Sequence, residues 1–240
     1  VAVGEAVGDA MRSGIEKFLS HPELRAKPAP SEKPSAEMAK GCEGGNVVAC
    51  GGFLFWLETV VNPSGLPRLI KEAFAANGST RRIWTGGPGE RATLRQMDEK
   101  FDAILKDRNA SHLLIVVEPE KDAAEQDIAS AASIAGKARE AGVKVVFLTA
   151  RPGKGEEVAV NEAVRKLANP PAVYVLDANK IMQNELAGRA ANPKASFRVG
   201  LTSLNPRVNA RTAIELLPML GFDPAAVERA KRHWLAMPDF

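Results

Sequence analysis

The 240-residue chain has 45% apolar and 25% charged residues, 5% aromatics and a net charge of +3. It is long enough to bury a sizeable core, and its composition excludes a disordered, collagen-like or fibrous chain. The charge is spread along the chain and aromatics are few, which argues against a nucleic-acid surface.

The first element in chain order is a short β run, Val1–Val3, followed by a helical face at Val7, Met11, Ile15, Phe18 and Leu19. The absence of an initiator Met leads us to expect residues upstream of Val1. From His21 to Gly52 the chain is rich in Pro, Lys, Glu, Ser and Gly, which predicts an exposed insertion at about 21–52. Its end carries the two cysteines, Cys42 and Cys50. Two unrelated thiols fit this spacing. So does a local disulfide, which would favour an oxidising compartment and contribute roughly 2–3 kcal/mol. The longest apolar run, Val47 to Val61, is broken by Gly51, Gly52 and Glu58 and falls short of the roughly 18 residues of a membrane-spanning helix. Phe53, Phe55 and Trp56 in that run read as core packing, with an exposed aromatic patch as the sharper alternative.

Four further β runs follow: Arg82–Trp84, Leu113–Val117, Val143–Leu148 and Val173–Leu176. Nearly continuous apolar runs suit strands covered on both faces. Helices are predicted between and after them, at Ala92–Leu105, Lys121–Ala141 with the stop signal Gly142, Glu156–Ala168, Ala210–Leu220 and Pro224–Ala236 with Asp223 as N-cap. This alternation predicts a single domain over 1–240. Its fold is a three-layer α/β/α sandwich around a mostly parallel five-stranded sheet. Ligands in such sheets sit outside the carboxyl ends of the strands.

Several groups at those ends could carry chemistry. Glu118, Glu120 and Asp122 could, with Glu5 and Asp9, hold a divalent cation, but a solvated acidic loop and helix N-terminus is the preferred reading. Thr149–Gly155 is a Gly-rich loop without the phosphate-cradle pattern, because Glu156 follows Gly155. Gly86-Gly87-Pro88-Gly89 is not a dinucleotide turn. No metal or cofactor is therefore expected. Ser13, Ser20, His21, His112 and His233 are placed poorly for a nucleophile–base pair.

Four segments, in this order, resemble the SGNH (GDSL-type) hydrolase family, whose sheet is flavodoxin-like. They are Val1-Ala2-Val3-Gly4-Glu5-Ala6, Gly86-Gly87-Pro88-Gly89-Glu90, Leu113–Val117 with Glu118-Pro119-Glu120-Lys121, and Leu201-Thr202-Ser203-Leu204-Asn205-Pro206. The resemblance implies a Ser nucleophile, a His oriented by an Asp, and oxyanion donors from a Gly and an Asn. Carried onto this chain, the nucleophile falls on Ala6, the Asn on Glu120, and the Asp and His on Leu201 and Leu204. Only Gly89, a backbone donor, is kept. The other register, Gly8-Asp9-Ala10, also ends in Ala. The resemblance thus implies a degenerate member: a non-catalytic binding or scaffold protein of the cell envelope, periplasmic or secreted. Its partner would be another envelope protein or a glycan, without nucleic acid or a membrane span. The alternative is an esterase or acyl-group hydrolase acting on carbohydrate or lipid esters.

Overall fold

The architecture comes from a computed structural model. It describes residues 45–51, 65–85, 92–149, 155–178, 180, 181, 184, 198, 199, 203, 204 and 206–236. All of these lie in one compact unit, Ala36–Phe240, and only that unit is described. Its elements are β1 (Asn46–Cys50), α1 (Leu66–Ala76), β2 (Ile83–Thr85), α2 (Leu94–Glu99), α3 (Phe101–Arg108), β3 (Ala110–Val117), α4 (Ala124–Ala141), β4 (Lys144–Thr149), α5 (Glu156–Arg165), β5 (Val173–Leu176), β6 (Arg198–Val199), β7 (Ser203–Leu204), α6 (Pro206–Leu216) and α7 (Pro224–Trp234). No helix among the described residues is long and apolar enough to cross a membrane.

Five strands form one parallel sheet in the order β2-β1-β3-β4-β5. The predicted α/β sandwich with a five-stranded sheet is therefore present. The first strand among the described residues is Asn46–Cys50; Val1–Val3 lies outside the described residues. Asn46–Cys50 falls within the predicted insertion. It qualifies as a strand because Val47, Val48, Ala49 and Cys50 are all buried between β2 and β3. The two short strands β6 and β7 pair antiparallel in a separate sheet.

Alternate residues of the central strands feed two cores. Val47, Ala49, Leu114, Val116, Val146 and Leu148 face α1, α6 and α7. Val48, Cys50, Leu113, Ile115, Val117, Val145 and Phe147 face α2 to α5. Coverage on both sides explains why β3 and β4 read as continuous apolar runs. The helix ends follow local chemistry. Thr93 and Gln96 form a reciprocal capping box that starts α2. Gly142, left-handed at φ +66°, ends α4. Asp223 Oδ1 accepts from Ala226 N at 2.7 Å and starts α7 with Pro224. The helix predicted over 92–105 is in fact two, broken at Lys100, where φ −106° and ψ 14° leave the helical region.

Cys50 carries a free thiol, so the expected Cys42–Cys50 bridge is not formed; Cys42 itself lies outside the described residues. The thiol sits in the second core at 1% exposure, and burial pushes its pKa up from 9.0 to about 12. In folded protein Cys50 is expected to resist a thiol reagent at mildly alkaline pH. Denatured, unreduced protein is expected to titrate with two free thiols. A count of zero would restore the bridge.

Candidate functional site

In this strand order the winding of the chain across the sheet reverses between β1 and β3, which remain parallel. The crevice outside their carboxyl ends is where the fold binds ligands. β1 leaves the sheet there through Gly51, at φ +78°. A Cβ at Gly51 would lie 2.7 Å from the Val116 carbonyl oxygen and 3.1 Å from Met97 Cε. Only glycine fits both the left-handed backbone and this close approach to β3.

Across the crevice, β3 runs into Glu118-Pro119-Glu120-Lys121-Asp122. Asp122 turns the chain at φ +60°, and Ala123 N donates to Glu120 O at 3.3 Å. Glu120 N donates to Asp127 Oδ2 at 2.8 Å, which pins the acidic turn onto the first turn of α4. Asp127 is 1% exposed. Burial raises its pKa, the Glu120 backbone bond lowers it, and the Glu120 charge raises it; the net shift is upward. The turn at the carboxyl end of β3 thus carries the acidic residues Glu118, Glu120 and Asp122, with Asp127 buried behind it.

A second cluster sits at the carboxyl ends of β4 and β5. Asp177, just after β5, accepts from Thr149 Oγ1 at 3.0 Å, Arg165 Nε at 2.9 Å and Lys180 N at 3.0 Å. Burial opposes the Asp177 charge. The bonds from Arg165, the Lys180 backbone and Thr149 outweigh it and hold the carboxyl below the usual 3.8. Because the folded pKa is depressed, this stabilisation is present above pH 3.8 and is lost as pH falls through the folded value. Asp177→Asn is expected to cost about 1–2 kcal/mol at neutral pH, read as a shift in the denaturant midpoint. An unchanged midpoint would show that the cluster contributes nothing.

Two of the three histidines are described. His112 is buried near the start of β3, at the amino end of the sheet. His233 is exposed in the last turn of α7, and that helix is tied by Arg229 to Asn77 at the end of α1. Among the described residues, no group of three or more His, Cys, Asp or Glu side chains is placed to hold a metal ion. Two grooves flank the edge strand β2. The larger, about 470 Å³, lies against α1 and is lined by Arg68, Lys71, Glu72, Ile83 and Thr85. The smaller, about 240 Å³, lies against α3 beside Trp84, Lys100, Asp107 and Arg108.

No protein-family model and no curated protein matches the sequence. Solved structures do match the fold. LAE5, an alpha/beta hydrolase enzyme from the metagenome of Lake Arreo, Spain, gives a TM-score of 0.55 at 12% identity, over 77% of this chain and 98% of its own. TesA gives 0.52 at 17% identity, over 73% and 97%. A protein described as lipolytic, of the G-D-S-L family, from Desulfitobacterium hafniense gives 0.51 at 12% identity, over 73% and 99%. The chain has the SGNH-hydrolase fold. One of these neighbours is described as of the G-D-S-L family and another as an alpha/beta hydrolase, and identities of 12–17% establish the fold alone.

Within the SGNH fold, the predicted site residues are described unevenly. Glu120 stands on the acidic turn at the carboxyl end of β3. Leu204 lies in β7, paired with Arg198 of β6. Ala6, Gly89 and Leu201 lie outside the described residues, as do Glu5, Asp9, Phe53, Phe55, Trp56 and the loop after Thr149. The sequence reading missed Asp127 and Asp177. Asp127 could have been found as an acid on the first turn of a helix that follows an acidic loop. Asp177 had the signal of an Asp directly after a strand and three residues before Lys180, the spacing of an N-cap.

Proposed function

We propose that this protein is a non-catalytic, SGNH-like binding or scaffold protein whose crevice no longer supports acyl transfer. One observation carries this reading: among the described residues, the sheet's first strand is Asn46–Cys50. The family's strand-then-Gly-Asp-Ser pattern then falls on Gly51-Gly52-Phe53. From Gly51 to Glu58 the sequence has no Ser, Thr or Cys. The shift from Ala6 to this position replaces one residue without a nucleophile by another. Glu120, an acceptor when ionised, disfavours an oxyanion where an amide donor would favour it. His112, at the amino end of the sheet, provides no base at the crevice. Loss of nucleophile and base together removes the covalent route.

A second reading, an esterase or acyl-group hydrolase, is favoured by the descriptions of the structural neighbours as lipolytic or hydrolytic. It requires a nucleophile from outside the turn after β1. Hydrolysis of short-chain aryl esters separates the two. The expected rate equals that of buffer, and Phe53→Ser alone is expected to leave it there, because no base is restored. Turnover by the unmodified protein, abolished by replacing one Ser or His, would promote the enzyme reading.

The occupant of the crevice is proposed to be an envelope protein or a glycan. We place the protein in the periplasm or outside the cell on the resemblance alone, because the reduced, buried Cys50 gives no sign of an oxidising compartment.

A further inference from the structure

We propose that Arg81 and His112 form an acid-released latch that holds the connection between α6 and α7 onto the amino end of the sheet. This site is independent of the carboxyl-end crevice. Arg81 precedes β2 and is 8% exposed. Its Nε donates to Gly45 O at 2.7 Å, at the entry to β1, and Nη1 donates to Leu220 O at 2.6 Å, in the α6–α7 connection. Nη2 lies 3.1 Å from His112 Nδ1 in β3. The guanidinium also covers the Phe74 ring of α1 at 4.8 Å. Phe74 in turn stacks on Phe222, with centroids 5.3 Å apart. One side chain therefore joins β1, β3, α1 and the α6–α7 connection.

The latch depends on which atom accepts. A guanidinium only donates, so His112 Nδ1 must accept and the ring proton must sit on Nε2. Nε2 is buried with no hydrogen-bond partner among the described residues. Ser111 Oγ lies 2.7 Å from the same Nδ1. Protonation turns Nδ1 into a donor. It can then keep Ser111, whose hydroxyl accepts, but it repels Arg81. Among the described residues, the charged groups bearing on the ring are Arg81, from the segment before β2, and Lys144, from β4. β1 presents the apolar Val47 opposite His112. Burial, then Arg81, then Lys144 lower the His112 pKa from 6.5 to about 3.

The sign follows. A released His112 binds a proton below about 6.5, whereas the latched one does so only near 3. Between these values acid favours release, by up to tenfold per pH unit. From pH 7 to pH 5 the ratio of released to latched protein rises about 30-fold less the small fraction already protonated at pH 7, so roughly 25-fold.

Amide hydrogen exchange tests this. The amides of Leu220, Gly221 and Phe222 are bonded to Leu216 O, Pro218 O and Leu217 O. After correction for intrinsic rates, they are expected to exchange roughly 25-fold faster at pH 5 than at pH 7. At both pH values they should be less protected than Val146 and Phe147 of β4. His112→Asn offers an amide oxygen to Arg81 and does not titrate, so it is expected to abolish the acceleration. The latch is refuted if the α6–α7 amides exchange only at the β4 rate, or if His112→Asn keeps the acceleration. Should that variant fail to fold, the comparison with β4 in the unmodified protein still decides.

Discussion

Gly51→Ala is expected to destabilise the fold by about 2–5 kcal/mol. The left-handed backbone alone costs an L-residue roughly 1–2 kcal/mol. The added Cβ would also sit 2.7 Å from the Val116 carbonyl. That oxygen belongs to β3, which is hydrogen-bonded on both sides, so it cannot step aside cheaply. Forcing β1 and β3 apart adds overpacking of about 1–3 kcal/mol. Gly142→Ala is the matched control. Gly142 is also left-handed, at φ +66°, but its Cβ would meet nothing within 4 Å. It is expected to show the backbone cost alone. Equal urea midpoints for the two variants would mean that β1 does not press on β3 as described.

Phe147→Ala is expected to cost a similar 3–5 kcal/mol, the range for emptying a buried aromatic site. Phe147 is 0% exposed in the middle of β4, with strands paired on both sides. It contributes to the core beneath α2 to α5, where Ile134, Ala135 and Ala138 of α4 leave little freedom to refill the space. Total stabilities of about 5–15 kcal/mol make this a fifth of the whole or more. Val158→Ala, on the exposed face of α5 at 42%, should change the midpoint little. A Phe147→Ala midpoint close to that of the unmodified protein would place Phe147 outside a well-packed core.

Strands β2 to β5 were legible because each is a β-rich run bounded by turn residues, and three of them are apolar enough to be buried on both faces. β1 was not. Its five residues follow a Pro/Gly-rich stretch and lead into Gly51-Gly52, so the run read as the end of an insertion, while Val1–Val3 offered a more obvious start. The same misplacement produced the disulfide expectation, since a cysteine beside glycines looks like a loop cysteine until the strand is known to be buried. Helix punctuation was read well at Gly142 and Asp223, where one residue does the capping. The break at Lys100 carries no Gly or Pro and gave no warning. At the crevice, the acidic turn after β3 was legible. The Glu120–Asp127 and Asp177–Arg165 contacts were not, because each joins separate elements through the folding of the sheet.

Whether the crevice retains a reactive serine is tested most directly by intact-mass analysis after incubation with a serine-directed fluorophosphonate. A hydroxyl is phosphonylated rapidly only when a base and oxyanion donors activate it, so the reagent reports the whole arrangement at once. The expected spectrum shows the unmodified mass of the 240-residue chain. A stoichiometric adduct mapped to a single Ser would reveal an activated nucleophile outside the turn after β1 and would contradict the non-catalytic reading.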